Sequence, residues 1–111
     1  MAKFMVLYRS PFSAEEQMAN TDQTQVQTGM DAWMTWAKEA GEVVVDLGMP
    51  LGNGRHLDGT NATAGETDVA GYSILQGESL DAVVKLLERH PHLMVPENSL
   101  DVLPILSMPG M

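Results

Sequence analysis

The stretch that decides the fold is residues 69–92, VAGYSILQGESLDAVVKLLERHPH. From Val69 to Gln76 the alternation of a strand puts Val69, Gly71, Ser73 and Leu75 on one face and Ala70, Tyr72, Ile74 and Gln76 on the other. Neither set is polar enough to face open water, so both faces call for cover. Gln76-Gly77-Glu78 breaks the strand. Ser79 then stands at an N-cap position, with Asp81 in the first turn near the positive end of a helix. Leu80, Val83, Val84 and Leu87 follow the i, i+3, i+4, i+7 spacing of a core-facing stripe, while Asp81, Lys85, Glu88 and Arg89 point away. His90-Pro91 ends the helix, because the residue before a proline is pushed out of helical geometry.

Composition sets the outer bounds. A chain of 111 residues is read as one domain, 1–111, large enough for a real core. It has no cysteine, which excludes a disulfide framework and a thiol nucleophile and removes the best ligands for structural zinc. No apolar run approaches a membrane span, and MAKFMVLYRS lacks the layout of a signal peptide, so a cytoplasmic location is expected. Fifteen acids against six bases give a net charge of -9. Lys3, Arg9, Lys38, Arg55, Lys85 and Arg89 are scattered, so neither nucleic acid nor an anionic membrane is expected as a partner. The nine methionines read as adaptable packing.

Working outward, Lys3–Arg9 (KFMVLYR) reads as a buried strand, broken by Ser10-Pro11. Ser13–Glu16 has the form of a capping box, predicting a short helix from Ala14. Asp22 is placed to cap a longer helix to Ala40, with Val26, Met30, Trp33 and Ala37 as its stripe, Met34 and Trp36 widening it and Gly41 stopping it. Glu42–Pro50 (EVVVDLGMP) predicts a second strand. The segment LGNGRHLDGTNATAGETD is either a long loop or a hairpin arm with Arg55-His56-Leu57 as a short strand. Leu100–Leu106 is the last strand, where Pro104 favours an edge or a strand end. The tail SMPGM is expected to be loose.

Strand, helix, strand, strand, helix, strand gives an α+β, ferredoxin-like βαββαβ fold: a four-stranded antiparallel sheet with both helices on one face. Two helices cover one face only, yet the strands are apolar on both. Each buried Val or Leu is worth roughly 1.5–3 kcal/mol, so a second copy over the open face is the expected solution. A homodimer with its sheets face to face follows.

MAKFMVLYR, the Trp33/Trp36 helix ending in EAG, VVVDLGMPLG, VAGYSILQGESLDAVVKLLERHPHL and the final LDVLPI together resemble the YCII-related family. The resemblance implies a dimeric α+β barrel of ferredoxin-like protomers and a cleft between helices and sheet. In some members it also implies a small-molecule reaction using a His–Asp pair. Two departures stand out. Met30 occupies the helix position where that pair has its histidine, and Asp58-Gly59-Thr60-Asn61 stands where a second branch has Asp-Gly-Pro-Phe.

Among candidate site residues, Asp46 interrupts a valine run and is placed on a sheet face near the domain's cavity, where burial would raise a carboxylate pKa. The alternative is that it accepts hydrogen bonds from loop amides around Gly48. His56 lies in the flexible segment, either as an ordinary exposed loop histidine or as a binding group on a mobile loop over a cleft. His90 and His92, if extended about Pro91, present both imidazoles to one side, the start of a metal site with no third ligand nearby, so no metal is assigned. Otherwise His90 sits at a helix C-terminus and His92 packs in the turn. Tyr8, Trp33, Trp36 and Tyr72 either line an aromatic pocket or fill the core and dimer contact. Ser73 has no adjacent base, and GNGRHLDG matches no nucleotide-binding loop.

The expected function is binding or transforming a small organic molecule by cofactor-independent acid/base chemistry. Asp46 and His56 are the catalytic candidates, and Tyr8, Trp33, Tyr72 and His92 the ligand-binding ones. The alternatives are a non-catalytic interaction or regulatory module, and a metal-assisted enzyme using His90 and His92.

Overall fold

The computed structural model describes residues 1–12, 16, 17, 19, 22–65 and 67–110. Along the chain run β1 (Ala2–Arg9), α1 (Gln23–Ala40), β2 (Val44–Asp46), β3 (Gly54–Asp58), β4 (Asn61–Gly65), β5 (Val69–Gly77), α2 (Leu80–Leu87) and β6 (Ser99–Pro104). Short 3-10 turns lie at Gly41–Val43 and Pro91–Met94. β2, β5, β1 and β6 form a four-stranded sheet in that order, antiparallel throughout, and β3 and β4 form a separate two-stranded ribbon. With the ribbon set aside, this is the ferredoxin-like arrangement expected from residues 69–92 and their neighbours.

One face of the sheet carries the core. Phe4, Val6 and Tyr8 of β1 and Leu75 of β5 are buried with Trp36 of α1 and Val83 and Leu87 of α2. β5 alternates as its sequence requires, with Gly71, Ser73, Leu75 and Gly77 buried and the residues between them half-buried. Gly77 lets α2 approach, since a Cβ there would stand 2.7 Å from Val83 Cγ2. The other face presents Met5, Leu7, Tyr72 and Ile74, all half-buried, and Leu103, which is exposed.

The caps of both helices follow the sequence. Asp22 Oδ1 accepts from Gln25 N–H at 2.8 Å, and Ser79 Oγ accepts from Ala82 N–H at 3.1 Å. Gly41, at φ 60, closes α1 with its N–H on Ala37 O. The stripe along α1 is only partly buried: Trp36 is in the core and Trp33 and Ala37 are half-buried, whereas Val26, Met30 and Met34 are exposed. The helix meets the chain through the 3-10 turns near its end, so the periodicity marks the correct face without measuring how far the cover extends. The capping box at Ser13–Glu16 and the helix start at Ala14 lie outside the described residues.

The second strand is shorter than Glu42–Pro50. Gly41–Val43 tightens into a 3-10 turn, β2 spans three residues, and the register on β5 shifts between Val44 and Asp46. Gly48 (φ 82) then passes so close to β5 that a Cβ would fall 1.6 Å from Tyr72 O. The chain rejoins β5 through the Pro50–Gly71 bridge and the Leu51 N–H to Ala70 O bond of 2.9 Å. Of the two readings of residues 51–68, the hairpin arm is the one observed. Asp58-Gly59-Thr60-Asn61 is its two-residue turn, with Gly59 at φ 61 in the first central position. β6 is an edge strand that ends at Pro104.

Candidate functional site

The chemistry-bearing residues gather on the covered face of the sheet, where the end of β1 meets the last turns of α1 and the turn after α2. Tyr8 is the hub. Its ring lies 4.8 Å from Trp33, 5.0 Å from His90 and 5.2 Å from His92, centroid to centroid. His90 is in turn walled by Trp33 at 4.4 Å and Trp36 at 4.5 Å, both edge-on.

The hydrogen bonds of this cluster have a direction. Ser73 Oγ donates its single proton to Leu47 O at 2.6 Å. The 2.7 Å contact between Tyr8 Oη and Ser73 Oγ therefore has Tyr8 as donor. Burial raises the Tyr8 pKa and the bond to Ser73 partly opposes this, so the phenol stays protonated.

The two imidazoles are polarised in the same way. His90 Nδ1 accepts from the His92 backbone N–H at 3.0 Å, which puts the proton of the neutral ring on Nε2. That Nε2 is buried and has no partner among the described residues. His92 Nε2 donates to Arg9 O at 2.8 Å, leaving Nδ1 as the acceptor, with Asn98 Nδ2 at 3.5 Å. Burial, with a smaller contribution from the charge of His92, lowers the His90 pKa to about 4. Burial also lowers that of His92, against hydrogen bonds to the backbone of Arg9 and Ser99. Both rings are neutral at neutral pH.

The carbonyl that holds His92 is itself fixed. Arg9 pairs with Asp101 of β6 and with Asp68, tying the end of β1 to both neighbouring segments. Its pKa is raised, chiefly by the hydrogen bond to Asp101.

Three of the four ligand-binding candidates, Tyr8, Trp33 and His92, are brought together here. Tyr72 is on the other face of β5, paired with Leu7. Asp46 is exposed and accepts from Gly48 N–H at 2.9 Å, and His56 is exposed on β3. His90, Trp36 and Ser73 also belong to the cluster, although sequence reasoning weighs His90 only as a metal ligand with His92, Trp36 as either pocket or core, and Ser73 as lacking a base. The clue is the H-P-H spacing, but Pro91 opens a 3-10 turn where the metal reading needs an extended segment. Among the described residues no three His, Cys, Asp or Glu side chains group to hold a metal ion, and no helix is long and apolar enough to cross a membrane.

No family model and no curated protein matches this chain. Among solved structures it is similar to the 5-chloro-2-hydroxyhydroquinone dehydrochlorinase of Burkholderia phenoliruptrix, in complex with 2,5-dihydroxybenzoquinone. The TM-score is 0.51 at 15% identity, over 97% of this chain and 96% of that one. At that identity the likeness is one of fold.

Proposed function

We propose that this chain binds a small planar phenol, quinone or organic acid beside Tyr8 and Trp33, and transforms it by acid/base chemistry without a cofactor. The observation that carries this reading is the pair of neutral imidazoles at one aromatic wall, both protonated on Nε2. His92 presents Nδ1, an acceptor with Asn98 Nδ2 at 3.5 Å, and His90 presents an N–H that has no partner among the described residues. A buried donor left unpaired costs roughly 1–3 kcal/mol, and a ligand oxygen would recover it. His92 Nδ1 takes a proton from the ligand, its Nε2–H staying on Arg9 O, while His90 Nε2–H meets the negative oxygen that results. The acid/base role thus passes from Asp46 and His56 to the two histidines. The dehydrochlorinase of similar fold, bound to a dihydroxybenzoquinone, supports this ligand class.

The protomer of this reading works as a homodimer. A compact 12.1 kDa monomer exposes about 6,000 Å². This chain exposes 8073 Å². The difference, about 2,000 Å² per protomer and so about 4,000 Å² for a pair, falls in the range of obligate homodimer interfaces. The sheet face of Met5, Leu7, Tyr72, Ile74 and Leu103 is the apolar surface suited to it.

Titrating the protein with 2,5-dihydroxybenzoquinone and simple hydroquinones, with tryptophan fluorescence as readout, tests the ligand. Saturable quenching is expected, weakened at least ten-fold in both Trp33→Leu and His92→Gln. Absence of saturable quenching across the panel, or quenching indifferent to both substitutions, would sink the proposal.

A further inference from the structure

The predicted core stripe of α2 is only half used. Val83 and Leu87 are in the core, but Leu80 and Val84 are each 40% exposed. They form one side of a groove of about 490 Å³ whose other side is Leu100 and Val102 of β6, and which also takes in Glu88 and Asn98. That volume is within the usual range for small-ligand pockets, about 300–1,000 Å³.

The polar side chains of this groove are those of Glu88, Asn98, Ser99 and Asp101, of which Asp101 is paired with Arg9 and Ser99 carries a hydroxyl, leaving Asn98 and Glu88 as the acceptors open to a guest. Asn98 Nδ2 donates to His92 O at 3.2 Å, and a carbonyl can only accept, so the orientation of the amide is fixed. Asn98 Oδ1 is thereby left buried, an acceptor with no partner among the described residues. Glu88 adds a carboxylate at the C-terminal end of α2, the negative pole of that helix. None of the six Lys and Arg residues lines the groove. An apolar trough with acceptors and negative charge at its polar end fits one kind of guest.

We propose that the groove between α2 and β6 binds a small apolar amine. Its hydrocarbon body lies along Leu80, Val84, Leu100 and Val102, and its N–H donates to the buried Asn98 Oδ1, with the positive charge facing Glu88. A carboxylic acid of the same shape would set acceptor against acceptor and carry the wrong charge, so it is excluded. The groove adjoins the imidazole cluster through the contacts of Asn98 Nδ2 with His92, but its apolar walls are residues that the cluster does not use.

The test is a titration of the 15N-labelled full chain with n-hexylamine, n-hexanoate, 1-hexanol and methylamine at matched ionic strength. Hexylamine is expected to shift the Leu100, Val102 and Asn98 resonances saturably, with a Kd at least ten-fold below that of hexanoate. Methylamine, which has the head without the body, should leave those resonances unsaturated. Asn98→Ala should weaken hexylamine about ten-fold. Because that change also removes the bond to His92 O, Leu80→Arg serves as a second variant, placing a cation on an exposed wall without touching Asn98. It should weaken hexylamine as much while the circular dichroism spectrum is unchanged. Equal binding of hexanoate, shifts scattered over the acidic surface, or hexylamine binding indifferent to both variants would overturn the proposal.

Discussion

His90 makes the fold sensitive to acid, and the size of the effect can be worked out. The side chain is 1% exposed, and its pKa is lowered from 6.5 to about 4 by burial first and by the charge of His92 second. A histidine whose folded pKa lies below its unfolded one is neutral in the native state and takes up a proton on unfolding anywhere between the two values. Its destabilising effect is therefore absent above about pH 6.5, grows as pH falls, and is complete below about pH 4. Relative to pH 7, linkage gives a loss of about 2 kcal/mol at pH 5 and about 3 kcal/mol at pH 4. His92, lowered by burial as well, acts in the same direction. Carboxylates titrate in this range too, so the comparison is with His90→Gln, which keeps an acceptor for the His92 N–H but cannot ionise. Urea unfolding at pH 7, 5 and 4 should show the wild type losing about 2 kcal/mol more than the variant between pH 7 and 5. Parallel pH profiles, within about 0.5 kcal/mol, would refute the reasoning.

Three further substitutions probe the supports of the site. Ser73→Ala strands the buried Tyr8 hydroxyl and Leu47 O together and should cost about 2–3 kcal/mol in urea unfolding at pH 7. Gly48→Ala forces a Cβ onto Tyr72 O at a backbone conformation that disfavours any side chain, so it should cost more than about 3 kcal/mol or abolish folding, measured by thermal unfolding. Ile74→Asp puts a charge at the centre of the open sheet face. Sedimentation should change from dimer to monomer with secondary structure retained, and a wild type already monomeric at micromolar concentration would count against the dimer.

Residues 69–92 reveal most of the fold because two periodicities, of about two and about 3.6 residues, meet at a serine cap and end at a proline. The same logic locates β1, α1 and β6. It overextends β2, since a run of three valines does not report that Gly48 must bend to clear Tyr72 O. It also overstates the burial of α1 and α2, because Met30, Leu80 and Val84 keep a helical period whether or not anything packs on them. Of the site, Tyr8, Trp33 and His92 could be named from residue type, but their meeting point depends on contacts between residues far apart in sequence. The polarity of the two imidazoles depends on a turn geometry that H-P-H alone does not specify. Asp46 drew notice as an acid among valines, and it accepts the Gly48 N–H at the bend.

The most direct test of the account is to record the imidazole 15N resonances of His90 and His92 at pH 7, before and after adding 2,5-dihydroxybenzoquinone. The account predicts two neutral rings, each with its proton on Nε2, and both shifting as ligand saturates. Rings already charged at pH 7, or ring signals left unmoved by a ligand that binds elsewhere on the protein, would contradict it.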